Sequence, residues 1–352
     1  YQTTTSYQAF DTPSYETPTN ISEPDGVNTG IDRDLFGKPK TITRSGTYLR
    51  PNGTLEFQNQ SRHFVYDPQQ RLCKRVDAES GAAIFDYDAA SNLAWSARST
   101  GLTSPTACQR ESVAASEKSV RTYDPRNRLT NINHPTGTDD VSYSYEADGA
   151  LSTASTTSGG TWTYSYNKRR LPTGENLAID GTTFTLGYGY TSLGHVSSMT
   201  YPGGLNVSFA PNALGQPTQA FGQQGSVSQT YASSATYHPN GSLKGFTYGN
   251  DLTHNRAITT RGLPHQIRDR QGSTSRLEYL YTYDKHGNLT QITDTVDWGI
   301  DEPDENRSLT YDARDRLEGT LAMGKFHEHL FEYDALDNLR RAAIMLVSPN
   351  SY

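Results

Sequence analysis

Six carboxylates crowd residues 294–306: Asp294, Asp297, Asp301, Glu302, Asp304 and Glu305. Oxygen-rich loops of this kind suit calcium, with Asp297, Asp301 and Asp304 as the candidate ligands. The stretch lacks the fixed ligand spacing and central glycine of a calcium-binding loop, so a solvated acidic loop is the plainer reading. Trp298 beside it would meet a sugar or cap a sheet edge. His327-Glu328-His329 puts two imidazoles on one face if the segment is a strand, a geometry zinc accepts. No third ligand is close in sequence, and cross-strand hydrogen bonding is the default. Asp139 and Asp140 are adjacent, so a strand would aim them at opposite faces, which does not suit a glycosidase carboxylate pair. No Gly-x-Ser-x-Gly elbow, phosphate-binding loop or dinucleotide fingerprint occurs. The residues therefore point to no cofactor, no metal and no catalytic constellation, and the chain reads as a non-enzyme.

The elements that carry these residues follow from a recurring phrase. It is plainest as Tyr283-Asp284-Lys285-His286-Gly287-Asn288-Leu289. Close copies start at Tyr66, Tyr87, Tyr123, Tyr145, Tyr237, Tyr311 and Tyr333, weaker ones at Tyr166 and Tyr190, and degenerate ones at Arg33, Leu49, Pro211 and Ile258. A period of this kind means an array, in which each unit is stabilised by its neighbours. Before the motif, large aromatic and β-branched residues alternate, as in Val141-Ser142-Tyr143-Ser144-Tyr145 and Thr161-Trp162-Thr163-Tyr164-Ser165-Tyr166. Period two means a strand with unlike faces. Such aromatic ladders arise from cross-strand packing, and exposed tyrosine faces would also stack on sugars.

Turn chemistry fills the next positions. Asp67, Asp88, Asp124, Glu146, Asp284, Asp312 and Asp334 follow their tyrosines, where a short carboxylate accepts backbone N–H bonds. Glycine occupies the fifth position in eight copies, among them Gly149, Gly241, Gly262 and Gly287, as a positive φ requires. Asn127, Asp315 and Asp337 stand in for it elsewhere. The chain returns through Leu or Pro into a short β-prone run. Each repeat is therefore a β-hairpin, and because lone hairpins are marginal, the repeats must pair edge to edge in one antiparallel sheet. The only helical pattern is a turn or two at 112–118.

Cys73 and Cys108 flank the longest gap between motif starts, from Tyr87 to Tyr123. A disulfide would staple an insertion at 97–119 to the sheet, contributing about 4 kcal/mol for a loop of this size. An even pair placed so favours an oxidising compartment; two free thiols are the alternative. Mean hydropathy is −0.73 and only 33% of residues are hydrophobic, yet 23 Tyr, 11 Phe and 3 Trp exclude a disordered chain. Net charge is −7 with no basic stripe, which argues against a nucleic-acid partner. No apolar run is long enough for a membrane span. Tyr1-Gln2-Thr3 carries neither initiator Met nor signal pattern and reads as the middle or processed start of a longer chain.

The phrases at Tyr66, Tyr123, Tyr311 and Tyr333 resemble the tyrosine-aspartate (YD) repeats of the RHS, or rearrangement hot spot, superfamily. That superfamily includes bacterial RHS toxins, toxin-complex C subunits, wall-associated proteins and teneurins. The resemblance covers residues 31–340, leaving 1–30 as a lead-in strand or linker and 341–352 as a tail. It implies an all-β fold: a continuous antiparallel sheet of hairpins wound as a spiral, forming an incomplete hollow shell. It also implies a structural scaffold of a secreted or surface-delivered bacterial protein, one that encloses, carries or displays another polypeptide or another segment of a longer chain. Adhesion relatives suggest glycan or partner binding instead, and open sheet edges suggest self-association into a tube. Relatives that close their shell end in an Asp-Pro-x-Gly type cleavage segment, whereas Asp67-Pro68 and Asp124-Pro125 sit inside ordinary repeats. Fourteen hairpins give about 28 strands and roughly 130 Å of sheet, a single ring about 40 Å across.

Overall fold

In the computed structural model the described residues are 2–7, 17–49, 53–135, 139–296, 305–322 and 328–345. They form 28 strands in a single sheet. Every strand pairs antiparallel with the strand before it and the strand after it in sequence, from Thr4–Tyr7 on Pro18–Ser22 to Glu328–Tyr333 on Leu339–Met345. The alternation seen in sequence reappears as exposure. In Val141–Tyr145 the serines are exposed and Val141, Tyr143 and Tyr145 are half-buried. No helix among the described residues is long and apolar enough to cross a membrane.

Because the chain meanders, successive connections alternate between two rims of the sheet. One rim carries thirteen five-residue turns, from 34–38 to 334–338, in which the first residue donates its N–H to the fifth carbonyl and accepts from the fourth N–H. The other rim carries the inter-repeat loops. A register shift precedes each motif tyrosine, which then pairs with the residue six on, as Tyr66 with Leu72 and Tyr283 with Leu289; that residue is Leu or Pro except at Tyr190, which pairs with Val196. One assignment changes. The degenerate copy at Leu49 connects Pro39–Leu49 to Leu55–Tyr66, so parity places it on the loop rim, out of register with the others. The fourteenth hairpin is instead the N-terminal pair Thr4–Tyr7 and Pro18–Ser22. Composition could not separate the two cases, because a glycine turn serves either rim.

Little of the sheet has a second layer. Among described residues, the buried hydrophobic positions are Val27, Cys73, Val76, Ala82, Ala83, Ile84, Ala97, Val113, Val207, Ala322 and Ala335. Most of them lie where the insertion folds over strands Leu72–Asp77, Gly81–Tyr87 and Leu93–Thr100. There Val113 and Leu102 pack on Ile84, Ala97 and Trp95. Its helical content is two 3-10 turns, Arg110–Ser112 and Ala115–Glu117. The Cys73–Cys108 disulfide forms, with Cα atoms 5.3 Å apart.

The sheet does not close into a barrel. It winds until its last tyrosine-led turns sit on the loop rim of its first hairpins. Val27 and Ala335 are 1% and 2% exposed there, and a Cβ at Gly46 would lie 2.8 Å from Val27 and 2.9 Å from Ala335. Charge surrounds this contact. Arg314 reaches Glu23 at 2.9 Å, Asp25 at 2.7 Å and Asp337 at 2.7 Å, while Arg44 reaches Asp337 at 2.5 Å. Turn rim meets loop rim, so the sheet climbs by about one strand length per turn. The 334–338 turn, between the last two strands, lies against Val27 and Gly46, at the loop-rim ends of the third and fourth, so a turn takes about 24 strands and is about 115 Å around and just under 40 Å across at ~4.8 Å per strand. The result is one turn of an incomplete hollow shell.

Candidate functional site: a rim of clamped turns

The repeated turn is built from its first residue, the second of the repeat. Asp124 Oδ1 accepts the backbone N–H groups of Arg126 at 2.8 Å and Arg128 at 3.0 Å, and Oδ2 accepts Arg128 Nε at 2.7 Å. Asp312 does the same with Arg314 and Arg316, and Asp334 with Leu336 and Asn338. Asp88 clamps Ala90 and Asn92, and Asp284 clamps Gly287 and Asn288. A carboxylate satisfies donors that a tight turn leaves orphaned. Asp67 goes further. Burial alone would raise its carboxyl, but the Arg71 N–H and the Arg110 and Arg71 guanidiniums outweigh it and hold the pKa at about 2.

The fourth residue of all thirteen turns, the fifth of the repeat, has a positive φ. Gly287, at 100°, is the natural occupant. Gln70, Ser91 and Arg170 adopt 65°, 67° and 63°, which their composition did not announce; the clamped turn imposes the conformation.

The tyrosines join one repeat to the last. Tyr66 donates its hydroxyl to the Pro39 carbonyl at 3.0 Å, Tyr87 to Leu72 at 2.9 Å, Tyr123 to Leu93 at 3.0 Å and Tyr145 to Leu129 at 2.7 Å. Tyr166, Tyr190, Tyr237, Tyr311 and Tyr333 repeat the bond to Leu151, Pro172, Pro217, Leu289 and Leu317. In each case the acceptor is the seventh residue of the preceding repeat. The sixth residue adds a second link when it is basic. Lys38, Arg71, Arg128 and Arg316 lie 4.5–5.1 Å from the ring of the next tyrosine, a cation–π contact. Burial raises the hydroxyl pKa of Tyr66, Tyr87, Tyr123 and Tyr311, so these donors stay protonated.

The insertion is tied down by charge as well as sulfur. Lys74, fully buried, donates Nζ to the carbonyls of Ser104 at 3.0 Å and Ala107 at 3.2 Å and to Gln109 Oε1. Arg110 bridges Asp67 at 3.0 Å and Asp86 at 3.1 Å. Every group here is spent on holding the insertion to the wall.

No family model and no curated protein matches this sequence. Solved structures do match. The chain is similar to the TcdB2-TccC3 complex, with a TM-score of 0.69 at 14% identity, covering 93% of this chain and 19% of that one. The same complex without its hypervariable C-terminal region gives 0.67 at 15% identity, with the same coverage. The Tc holotoxin pore from Photorhabdus luminescens gives 0.61 at 14% identity, covering 97% of this chain and 21% of that one. The likeness shows a fold shared with these structures. This chain spans about a fifth of the length of the chains it matches.

Asp297, Asp301, Asp304, Trp298 and His327 lie outside the described residues. His329 stacks at 6.3 Å on Phe331, and no group of three metal-ligating side chains is assembled among the described residues. Asp139 and Asp140 are in a loop and not a strand, as assumed above. Asp140 accepts the His134 N–H at 2.8 Å, which explains its position without chemistry. The charges that lock the wall onto its own start, Glu23, Asp25, Arg44 and Arg314, carry no sequence signal. The basic sixth residue did recur, and its spacing to the next tyrosine was the available clue.

Proposed function

We propose that this chain is a wall segment of a bacterial toxin-complex-type shell, a scaffold that encloses or carries another polypeptide outside the cytoplasm and catalyses nothing itself. The observation that carries the reading is the superposition of 93% of the chain on toxin-complex shell chains. Chemistry supports the scaffold role: aspartates, tyrosines and buried cations are all engaged in holding turns, repeats and the insertion. Tyr145 and Tyr166 give their hydroxyls to backbone carbonyls, which favours a structural over a glycan-binding use of the tyrosine face. Size supports enclosure by several coils. A 100-residue guest has a radius of gyration of about 13 Å, and one turn of wall about 20 Å tall bounds such a guest without sealing it. The disulfide fits an oxidising, extracytoplasmic setting.

The test is protease protection. The native protein, isolated from its source, is treated with protease before and after acid unfolding and mass-mapped. A polypeptide that is protected only while the wall is folded supports the carrier role. A native particle with no protected polypeptide overturns it.

A further inference from the structure

Tyr283 departs from the ladder. It opens the plainest copy of the motif, yet alone among the motif tyrosines its hydroxyl bonds no carbonyl of the preceding repeat among the described residues. Beside it is a second exception, Arg256, half-buried in strand Thr253–Ile258. Its Nε is buried without a hydrogen-bond partner, and its guanidinium makes no hydrogen bond or ion pair with any described residue. Register puts the two on one face. Arg256 pairs with Ile267 and Ile267 with Tyr279, and Tyr281 and Tyr283 follow Tyr279 at period two. Burial raises the hydroxyl pKa of Tyr281 and Tyr283, and the Arg256 charge opposes the rise at both. The surrounding carboxylates are already engaged. Asp269 holds the His254 ring at 2.7 Å, Glu305 accepts the Tyr279 hydroxyl, and Asp294 accepts the Val296 N–H at 3.0 Å. The strands concerned have hydrogen-bonded neighbours on both sides, so the face is complete here.

We propose that Arg256, Tyr281 and Tyr283 form a binding site for a carboxylate group, with the guanidinium as its charged fork and the two phenol hydroxyls as flanking donors. A guanidinium that has given up part of its hydration costs stability until an anion completes it. Arg71 and Arg110 are completed internally, by Asp67; Arg256 has no such partner. A carboxylate is planar and accepts two parallel N–H bonds from the fork, and its remaining lone pairs suit hydroxyl donors. Its single charge also matches one guanidinium better than a phosphate dianion does. Two sources offer this group: a small free carboxylate, and the acidic side chains of a polypeptide lying along the tyrosine face. The chain itself carries a net charge of −7, so an anion that binds it reports a local site and not a general attraction.

The test is ligand-observed NMR titration of the whole chain with acetate, with a capped oligoglutamate peptide and with its oligoglutamine counterpart, using chloride as the control anion. Saturable binding of acetate or of the glutamate peptide, and of neither control, is the expected result. Acetate binding assigns the site to a small carboxylate, and binding of the peptide alone assigns it to a polypeptide. Arg256→Gln is expected to weaken binding about tenfold or more, while thermal unfolding without ligand stays unchanged or moves up, because the cation removed had no partner. Tyr283→Phe is expected to weaken binding about threefold and to leave unfolding unchanged, since its hydroxyl has no carbonyl to lose. No binding of either carboxylate, equal binding of chloride, binding indifferent to both variants, or a loss of thermal stability in Arg256→Gln would each overturn the proposal.

Discussion

Strands Leu72–Asp77, Gly81–Tyr87 and Leu93–Thr100 lie under the insertion and contain most of the buried hydrophobic residues, whereas from Val141 to Ser208 only Val207 is among them. Both stretches use the same tyrosine-led turns and the same hydroxyl-to-carbonyl bonds. The first has become a two-layered structure with a small apolar core, a disulfide and a caged lysine. The second stays a single sheet held by its ladder and its rim clamps. The difference teaches that the repeat itself is sufficient for the wall, and that a core is a local addition. Array proteins stabilise through nearest-neighbour interfaces, so the two stretches should respond separately to damage.

Four experiments sharpen or break that contrast. Cys108→Ser should have the largest effect, a loss of about 4 kcal/mol in denaturant unfolding. Amide exchange should rise in Gly81–Tyr87 and stay constant in Val141–Tyr145; equal acceleration in both would mean the stretches are not independent. Asp67→Asn comes next, at about 3 kcal/mol, because Arg71 and Arg110 lose their shared carboxylate. Asp124→Asn, which strands one arginine that water reaches, should cost less. The same carboxylate sets the acid limit. Asp67 has a pKa of about 2 when folded against about 4 unfolded, so the unfolded chain takes up the proton first. Its contribution is full above about pH 4 and drains away as the pH falls toward 2. A circular-dichroism acid titration should show the Asp67→Asn variant losing that dependence.

Gly287→Ala should cost about 1–2 kcal/mol, since an L side chain resists a φ of 100°; thermal unfolding reads it directly. Tyr145→Phe is the smallest. Losing one hydroxyl bond to the Leu129 carbonyl should cost about 1 kcal/mol, with the ring contact to Arg128 kept. The matching Tyr87→Phe in the capped stretch should lose about as much. A much larger loss there would show that the insertion and the rim are coupled.

Much of the wall was legible beforehand because its rules are local. Alternation in Val141–Tyr145 settles which side chains share a face, and Asp284 three residues before Gly287 settles the turn. The copy at Leu49 misled because strand parity is not a local property. The strand condition placed on Asp139 and Asp140 is not met, because the strand begins where the alternation begins, at Val141. The Lys74 cage was invisible for another reason: its acceptors, Ser104 and Ala107, offer backbone carbonyls, which every residue possesses.

Sequence alone determined the hairpin, the turn conformation and the tyrosine that ties each repeat to the one before, since all three lie within about one repeat length. Only the tertiary structure decided where the wall meets itself. Arg314 and Glu23 are 291 residues apart, and their meeting depends on small twists and bends summed over the twenty-three strands between them. No single repeat encodes that sum, so the seam and the surfaces it leaves open became visible only once the whole coil was in view.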